Sequence, residues 1–191
     1  MFTKFLCIFC MLAIIKNSQE KVSSRRYNFV INNVTCQPLA KSLKYFECDL
    51  EKLATNHYAY TGKFVFNKIM HKNFFVRYFI DISPIGKTNL IHFIDIKMSA
   101  CNAIETSFEI PMVHSIMLEI RRTSNVPYQC PFKSNFPYTF NNLSFTDQFI
   151  NKFMPYLHFV QHLDFYDLDK LIGSLTTNGS LLPIRKANKN G

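Results

Sequence analysis

Apolar and polar residues alternate along much of this chain. Between His57 and Asn67, Tyr58, Tyr60, Phe64 and Phe66 share one face, while Thr61, Lys63 and Asn67 share the other. That period of two marks an antiparallel strand with one buried side. Phe74, Val76, Tyr78, Ile80 and Ile82 are again in phase, with Arg77 and Asp81 opposed. Pro84-Ile85-Gly86-Lys87 has turn composition and leads into a further strand over Leu90–Met98. Upstream, Tyr27–Cys36 and Lys44–Leu53 read as two strands joined through Gln37-Pro38 and a polar turn. Downstream, strands are expected over Tyr138–Phe145, Leu157–Tyr166 and Lys170–Leu175. Asn178-Gly179 then has the composition of a hairpin turn.

The middle of the chain changes period. Pro111 suits the first position of a helix. Met112, Val113, Ile116, Met117 and Ile120 recur at three- and four-residue steps, and Arg121 and Arg122 follow where a helix end favours cations. A helix is expected over Pro111–Thr123, and a short helical turn over Asp147–Phe153. About eight short strands with one inserted helix predict a mainly β fold, an antiparallel β-sandwich of immunoglobulin-like layering.

The first residues obey neither period. A basic start at Lys4 and an apolar run from Phe5 to Ile15 have the form of a signal peptide and are too short for a membrane span. The expected organisation is a signal peptide over residues 1–19, one domain over 20–185 and a polar, disordered tail over 186–191. The protein is then expected to be secreted and extracellular. Cys7 and Cys10 have CxxC spacing but sit inside the apolar run, so removal with the leader is expected rather than redox chemistry.

Charge and composition narrow the function. The formal charge is +9, and loss of Lys4 and Lys16 with the leader leaves +7. The basic residues are scattered, with Arg25-Arg26 and Arg121-Arg122 the only adjacent arginine pairs. This reads as a solvated surface, not a nucleic-acid interface. Asn33-Val34-Thr35, Asn142-Leu143-Ser144 and Asn178-Gly179-Ser180 are glycosylation sequons, so Asn33, Asn142 and Asn178 are candidate acceptors. Six histidines are dispersed, and no H-E-x-x-H, G-x-S-x-G, Walker or dinucleotide motif occurs. His158 and His162 have the spacing of a helical metal pair, but a strand would hold them about 13 Å apart. Neither catalysis, a metal nor a cofactor is expected.

Four cysteines remain after the leader: Cys36, Cys48, Cys101 and Cys130. Their spacing matches no zinc ribbon or finger. In an oxidising compartment they are expected to form disulfides. Cys36–Cys48 would tie two adjacent strands, and Cys101–Cys130 would pin the helical excursion at both ends. A crossed pairing, first with last, is the rival.

The residues around these cysteines carry a resemblance. Phe29-Val30-Ile31-Asn32-Asn33-Val34-Thr35-Cys36, Phe46-Glu47-Cys48-Asp49-Leu50, Ile94–Cys101 and Ser124-Asn125-Val126-Pro127-Tyr128-Gln129-Cys130-Pro131-Phe132 together resemble a family of small secreted insect proteins that includes the chemosensory CheB proteins. That family is considered related to the MD-2-related lipid-recognition (ML) superfamily. Met154-Pro155-Tyr156-Leu157 stands where many members carry Leu-Pro-x-Gly, and the Asp95-to-Cys101 spacing is longer than usual. The resemblance implies an ML-like sandwich whose sheets part to admit a lipid-like or pheromone-like ligand, with a role in chemosensation and a membrane receptor as a further partner. Candidate cavity residues are Phe64, Phe66, Val76, Tyr78, Ile80, Ile94, Met112, Ile116 and Met117. The alternative is an extracellular interaction module or coreceptor with a closed core.

Overall fold

A computed structural model describes residues 27–105, 111–147, 150 and 153–184, with side chains left out at 111–113 and 115. The expected signal peptide and tail lie outside these residues. Among these residues eight strands occur in chain order: β1 (Tyr27–Pro38), β2 (Leu43–Ala54), β3 (His57–Phe66), β4 (Phe74–Pro84), β5 (Ile91–Ser99), β6 (Pro137–Thr146), β7 (Leu157–Asp167) and β8 (Lys170–Pro183). Two helices, α1 (Ala100–Glu105) and α2 (Pro111–Thr123), lie between β5 and β6. All strand pairs are antiparallel, in a five-stranded sheet ordered β1-β8-β7-β4-β5 and a three-stranded sheet ordered β2-β3-β6. The β-sandwich expected from the alternation is therefore the fold.

Tight turns sit where the chain can adopt left-handed backbone. Gly86 has φ 81°, and Lys87 N–H donates to the Pro84 carbonyl at 3.0 Å, as the turn composition predicted. Asn56 has φ 60° between β2 and β3. Its buried amide accepts from Phe29 N–H at 2.8 Å and donates to Asp147 at 3.1 Å, so one turn residue ties the two sheets' ends together.

Two expectations need correction. The Asn178-Gly179 dipeptide is not a turn. β8 runs on to Pro183, and Gly179 pairs with both Ile31 and Phe159 in mid-sheet. Glycine is required there for space: a Cβ would collide with the Phe159 ring and stand 2.6 Å from the Val30 carbonyl oxygen. Asn178 is accordingly half-buried within a strand, whereas Asn33 and Asn142 are exposed. Gly179→Ala is expected to cost about 1–3 kcal/mol of stability by overpacking, checked by the urea midpoint of the purified protein.

The second correction is α1, a six-residue helix that the periodicity did not predict. So short a helix cannot hold itself. Burial of Ala100, Cys101, Ala103 and Ile104 and a disulfide at Cys101 hold it. Of the expected Asp147–Phe153 turn only Asp147, Ile150 and Phe153 are described; there Ile150 N–H donates to the Asp147 carbonyl at 3.1 Å.

The disulfides are Cys36–Cys48 and Cys101–Cys130, which rules out the crossed pairing. Cys36–Cys48 joins β1 to β2, one edge of each sheet. With Cys36 on β1 and Cys48 on β2, the sandwich is cross-linked along that side. The opposite side brings no strand of the small sheet up to β5, and α2 lies there against β6. The layers are thus closed at one edge and covered by a helix at the other.

Two aromatic clusters fill the interior. One gathers Phe46, Phe64, Phe66, Phe74, Phe132, Tyr138 and Phe165 with Leu43, Met70 and Ile172. Phe132, from the Cys-Pro-Phe run, packs edge-on against Phe66, Phe74 and Tyr138. The other centres on Tyr27, Phe29, Ile31, Tyr58, Tyr60, Leu157 and Leu181. Space remains between the clusters.

Candidate ligand cavity

Pairing register sets which residues face that space. Ile94, Ile80, Gln161, Thr177 and Val34 form one row across β5-β4-β7-β8-β1. Ile96, Tyr78, Leu163, Leu175 and Cys36 form the next row. Their inner members, with Tyr60, Leu143 and Phe145 from the small sheet and Ile116, Met117 and Ile120 from α2, bound a two-lobed cavity. One lobe, about 220 Å³, lies toward α1 and α2 and reaches Met98, Ala103 and Phe140. The other, about 330 Å³, lies toward Phe29, Ile31, Ile82, Met154, Phe159 and Leu181. They share Tyr60, Tyr78, Ile94, Ile116, Phe145, Gln161 and Thr177. Phe93 lines the second lobe and is 48% exposed, which marks an opening near the start of β5.

The cavity is of a size that suits a small organic ligand, and its wall is apolar with few polar groups. Those groups gather where the lobes meet. Tyr60 donates to Thr177 Oγ1 at 3.2 Å. Burial pushes the Tyr60 phenol up to about 12. Burial pushes Tyr78 up as well, with the neighbouring Tyr60 adding to the effect. Both phenols are therefore neutral at physiological pH. Gln161 and the Tyr78 hydroxyl have no side-chain hydrogen-bond partner among the described residues. Glu47 and Lys63 also border the first lobe, but their side chains are exposed on the far face of the small sheet. There Glu47 bonds Tyr45, and Lys63 lies 5.5 Å over the Tyr45 ring.

Of the residues expected to line a cavity, Val76, Tyr78, Ile80, Ile94, Ile116 and Met117 do so. Phe64 and Phe66 do not. Both are packed into the closed aromatic cluster, Phe64 stacked on Tyr138 at 5.1 Å and Phe66 fully buried against Phe74 and Phe132. They share a face with Tyr60, but the register carries them past the end of the cavity. The Met112 side chain lies outside what is described. The polar members Tyr60, Gln161 and Thr177 were not singled out from sequence. Gln161 in particular was legible, since its phase on β7 sets a glutamine among Phe159, Leu163 and Phe165 on the inward side.

Other polar residues lie outside the cavity. His158 and His162 both face outward from β7. The first bonds Ser180 at 2.8 Å, and the second stacks on Phe79 at 4.4 Å and bonds Thr176. No cluster of metal-ligating side chains occurs among the described residues. On the same outer face, Arg77 grips Asp95 with two hydrogen bonds of 2.6 and 2.8 Å. His92 bridges Asp81 at 2.6 Å and Asp95 at 3.1 Å. The Asp81 hydrogen bond, then that of Asp95, raises the His92 pKa above the ordinary imidazole range. A raised histidine pKa stabilises the fold at low pH, and that contribution fades as pH rises past the ordinary value through the raised one. Asp81→Asn is expected to return the His92 pKa toward the ordinary value, read by NMR titration of its ring protons. A basic depression at the β1–β2 end, with exposed Lys41, Lys44, Lys68 and Lys170, is wide open to solvent.

Residues 70–160 match the model of a protein family of unknown function (DUF1091). The match covers just under half of the chain. It takes in β4, β5, both helices and β6, with the Cys101–Cys130 disulfide, hence the whole helix-covered side of the cavity. No curated protein matches the chain.

Proposed function

We propose that the protein is a secreted carrier or presenter of a small hydrophobic ligand. The observation that carries the proposal is the apolar, two-lobed space between the sheets, with its few polar atoms concentrated at one point. The mechanism is burial. Apolar area removed from water stabilises the complex by roughly 25 cal/mol per Å², while polar atoms at the waist of the cavity orient the ligand. Two disulfides fit an oxidising compartment, and no described helix is long and apolar enough to cross a membrane. The likeness to CheB-like and ML proteins noted from the sequence supports the same reading and extends it to lipid or pheromone ligands, a chemosensory role and a membrane receptor. In this reading the protein carries out no catalysis and binds no nucleic acid.

The rival, an interaction module with a closed core, is favoured by one observation. Leu90, Ile91 and Phe93 stand exposed together at the start of β5. The interior space weighs against it, and the same patch serves equally as the surface by which a loaded carrier meets a receptor.

The test uses glycosylated protein purified from secreting cells. Native mass spectrometry before and after organic extraction should show a co-purifying small molecule. The extracted protein should then take up the uncharged probe N-phenyl-1-naphthylamine with a blue-shifted emission. An unliganded mass in both spectra together with no probe uptake would sink the proposal.

A further inference from the structure

We infer that the cavity selects an uncharged ligand whose one hydrogen-bonding group, such as an ester, ketone or secondary alcohol, lies between two apolar arms. This rests on the ligand-binding reading above and specifies the class of ligand.

The placement of polar atoms carries the inference. The two lobes share one stretch of wall, the waist, and the polar side chains Tyr60, Tyr78, Gln161 and Thr177 lie there; of the other uncharged polar lining residues, Thr61 is exposed on the far face of the small sheet, and Thr146 borders the second lobe with its hydroxyl buried out of contact with the open space. Beyond the waist each lobe is bounded almost wholly by aliphatic and aromatic side chains. A ligand polar at one end would have to place its head at the waist and leave a lobe unfilled, or bury its head in hydrocarbon. The second choice costs a lost hydrogen bond in an apolar setting. A ligand polar in the middle satisfies the waist and fills both lobes.

The chemistry of the waist sets the charge. Gln161 offers both an amide N–H and a carbonyl oxygen, and Tyr78 offers a hydroxyl; neither side chain has a partner among the described residues. Thr177 accepts the Tyr60 hydrogen at 3.2 Å and keeps its own hydroxyl hydrogen to donate. Donors therefore face an ester or ketone oxygen, and acceptors remain for a hydroxyl. No charged side chain among the described lining residues reaches the interior, since Glu47 and Lys63 point away. An ionised carboxylate or ammonium would be buried without a counter-charge, at a cost that far exceeds one hydrogen bond.

The experiment is displacement of N-phenyl-1-naphthylamine from the full secreted protein at neutral pH by compounds of equal chain length. These are an ester with the carbonyl at mid-chain, the plain alkane, a terminal primary alcohol and the fatty acid. The mid-chain ester is expected to bind about tenfold tighter than the alkane, as one good hydrogen bond supplies. It should exceed the terminal alcohol and the fatty acid as well. Gln161→Leu and Tyr78→Phe should each shrink the ester-over-alkane ratio, which is read within each variant. Two variants guard against one that fails to fold. A fatty acid that equals the ester, a terminal alcohol that equals it, or a ratio that survives both substitutions would overturn the inference while the carrier function stood. Failure of the probe and of every compound to bind would overturn the carrier function itself, and the inference with it.

Discussion

Ile94→Trp is expected to lower affinity for N-phenyl-1-naphthylamine by roughly 50-fold or more and to raise the thermal midpoint of the empty protein. Ile94 projects from β5 into the waist and borders both lobes, with Ile80 beside it on β4. An indole there occupies volume that ligand would otherwise fill. Denying a ligand about 100 Å² of apolar burial removes about 2.5 kcal/mol at 25 cal/mol per Å², which is the order of magnitude given. The stability change has the opposite sign, because filling an existing void commonly adds about 0.5–2 kcal/mol. A closed core behaves otherwise: a larger side chain forced into it costs about 1–3 kcal/mol. Probe titration and calorimetry on the same sample therefore separate carrier from closed module. A lower midpoint with no loss of affinity would show that the space between the sheets is not where ligand goes.

The outcome at Ile94 depends on a register that alternation along single strands made legible. Val76, Tyr78, Ile80 and Ile82 face inward as their phase predicted, and the inward face of β4 became the cavity wall. Alternation assigns a face, however, and not a position along the sandwich. Phe64 and Phe66 have the right face and lie at the packed end, because pairing of β3 with both β2 and β6 sets them beside Phe46 and Tyr138. Distance along the strand axis is decided by partners far away in sequence. The same limit explains Gly179. Next to an asparagine it has the chemistry of a turn, and only the ring of Phe159, brought across by β7, reveals a glycine needed for space. Thr177 and Tyr60 form their hydrogen bond across 117 residues, so no local window could pair them. The order of elements favoured the observed disulfides but left the crossed pairing open, and the sheets decided it by setting Cys36 on β1 against Cys48 on β2 of the other layer. α1 was not legible, since its six residues take their shape from burial around Cys101 rather than from period or propensity.

Replacing Cys101 and Cys130 together by alanine is expected to cost about 3–4 kcal/mol and to loosen the helix-covered side of the cavity before the rest of the fold. The bond closes a loop spanning 29 residues of separation, and the chain-entropy account gives a value of that order for such a loop. A domain of this size has about twice that stability in total, so the loss is large. Its location matters more than its size. Cys101 is 2% exposed in α1, beside Ala100 and Ile104, which join the large aromatic cluster. Cys130 is followed by Pro131 and by Phe132, a buried member of that cluster. The loop between the two cysteines contains the whole of α2, whose Ile116, Met117 and Ile120 cover the first lobe. Arg121 reinforces the arrangement by donating to the Ile104 carbonyl at 2.7 Å, from α2 back to α1. By contrast, Cys36–Cys48 spans 12 residues and joins strands whose neighbours already pack; both cysteines border the first lobe, but its removal is expected to lower global stability while leaving the helix cover in place. Hydrogen exchange on the two double variants distinguishes the cases. Loss of Cys101–Cys130 should raise exchange in α1, α2 and β5 while β7 and β8 stay protected, and probe affinity should fall in parallel. Uniform loss of protection across both sheets would mean that the disulfide merely stabilises the domain and that the helix cover is held by the sheets alone.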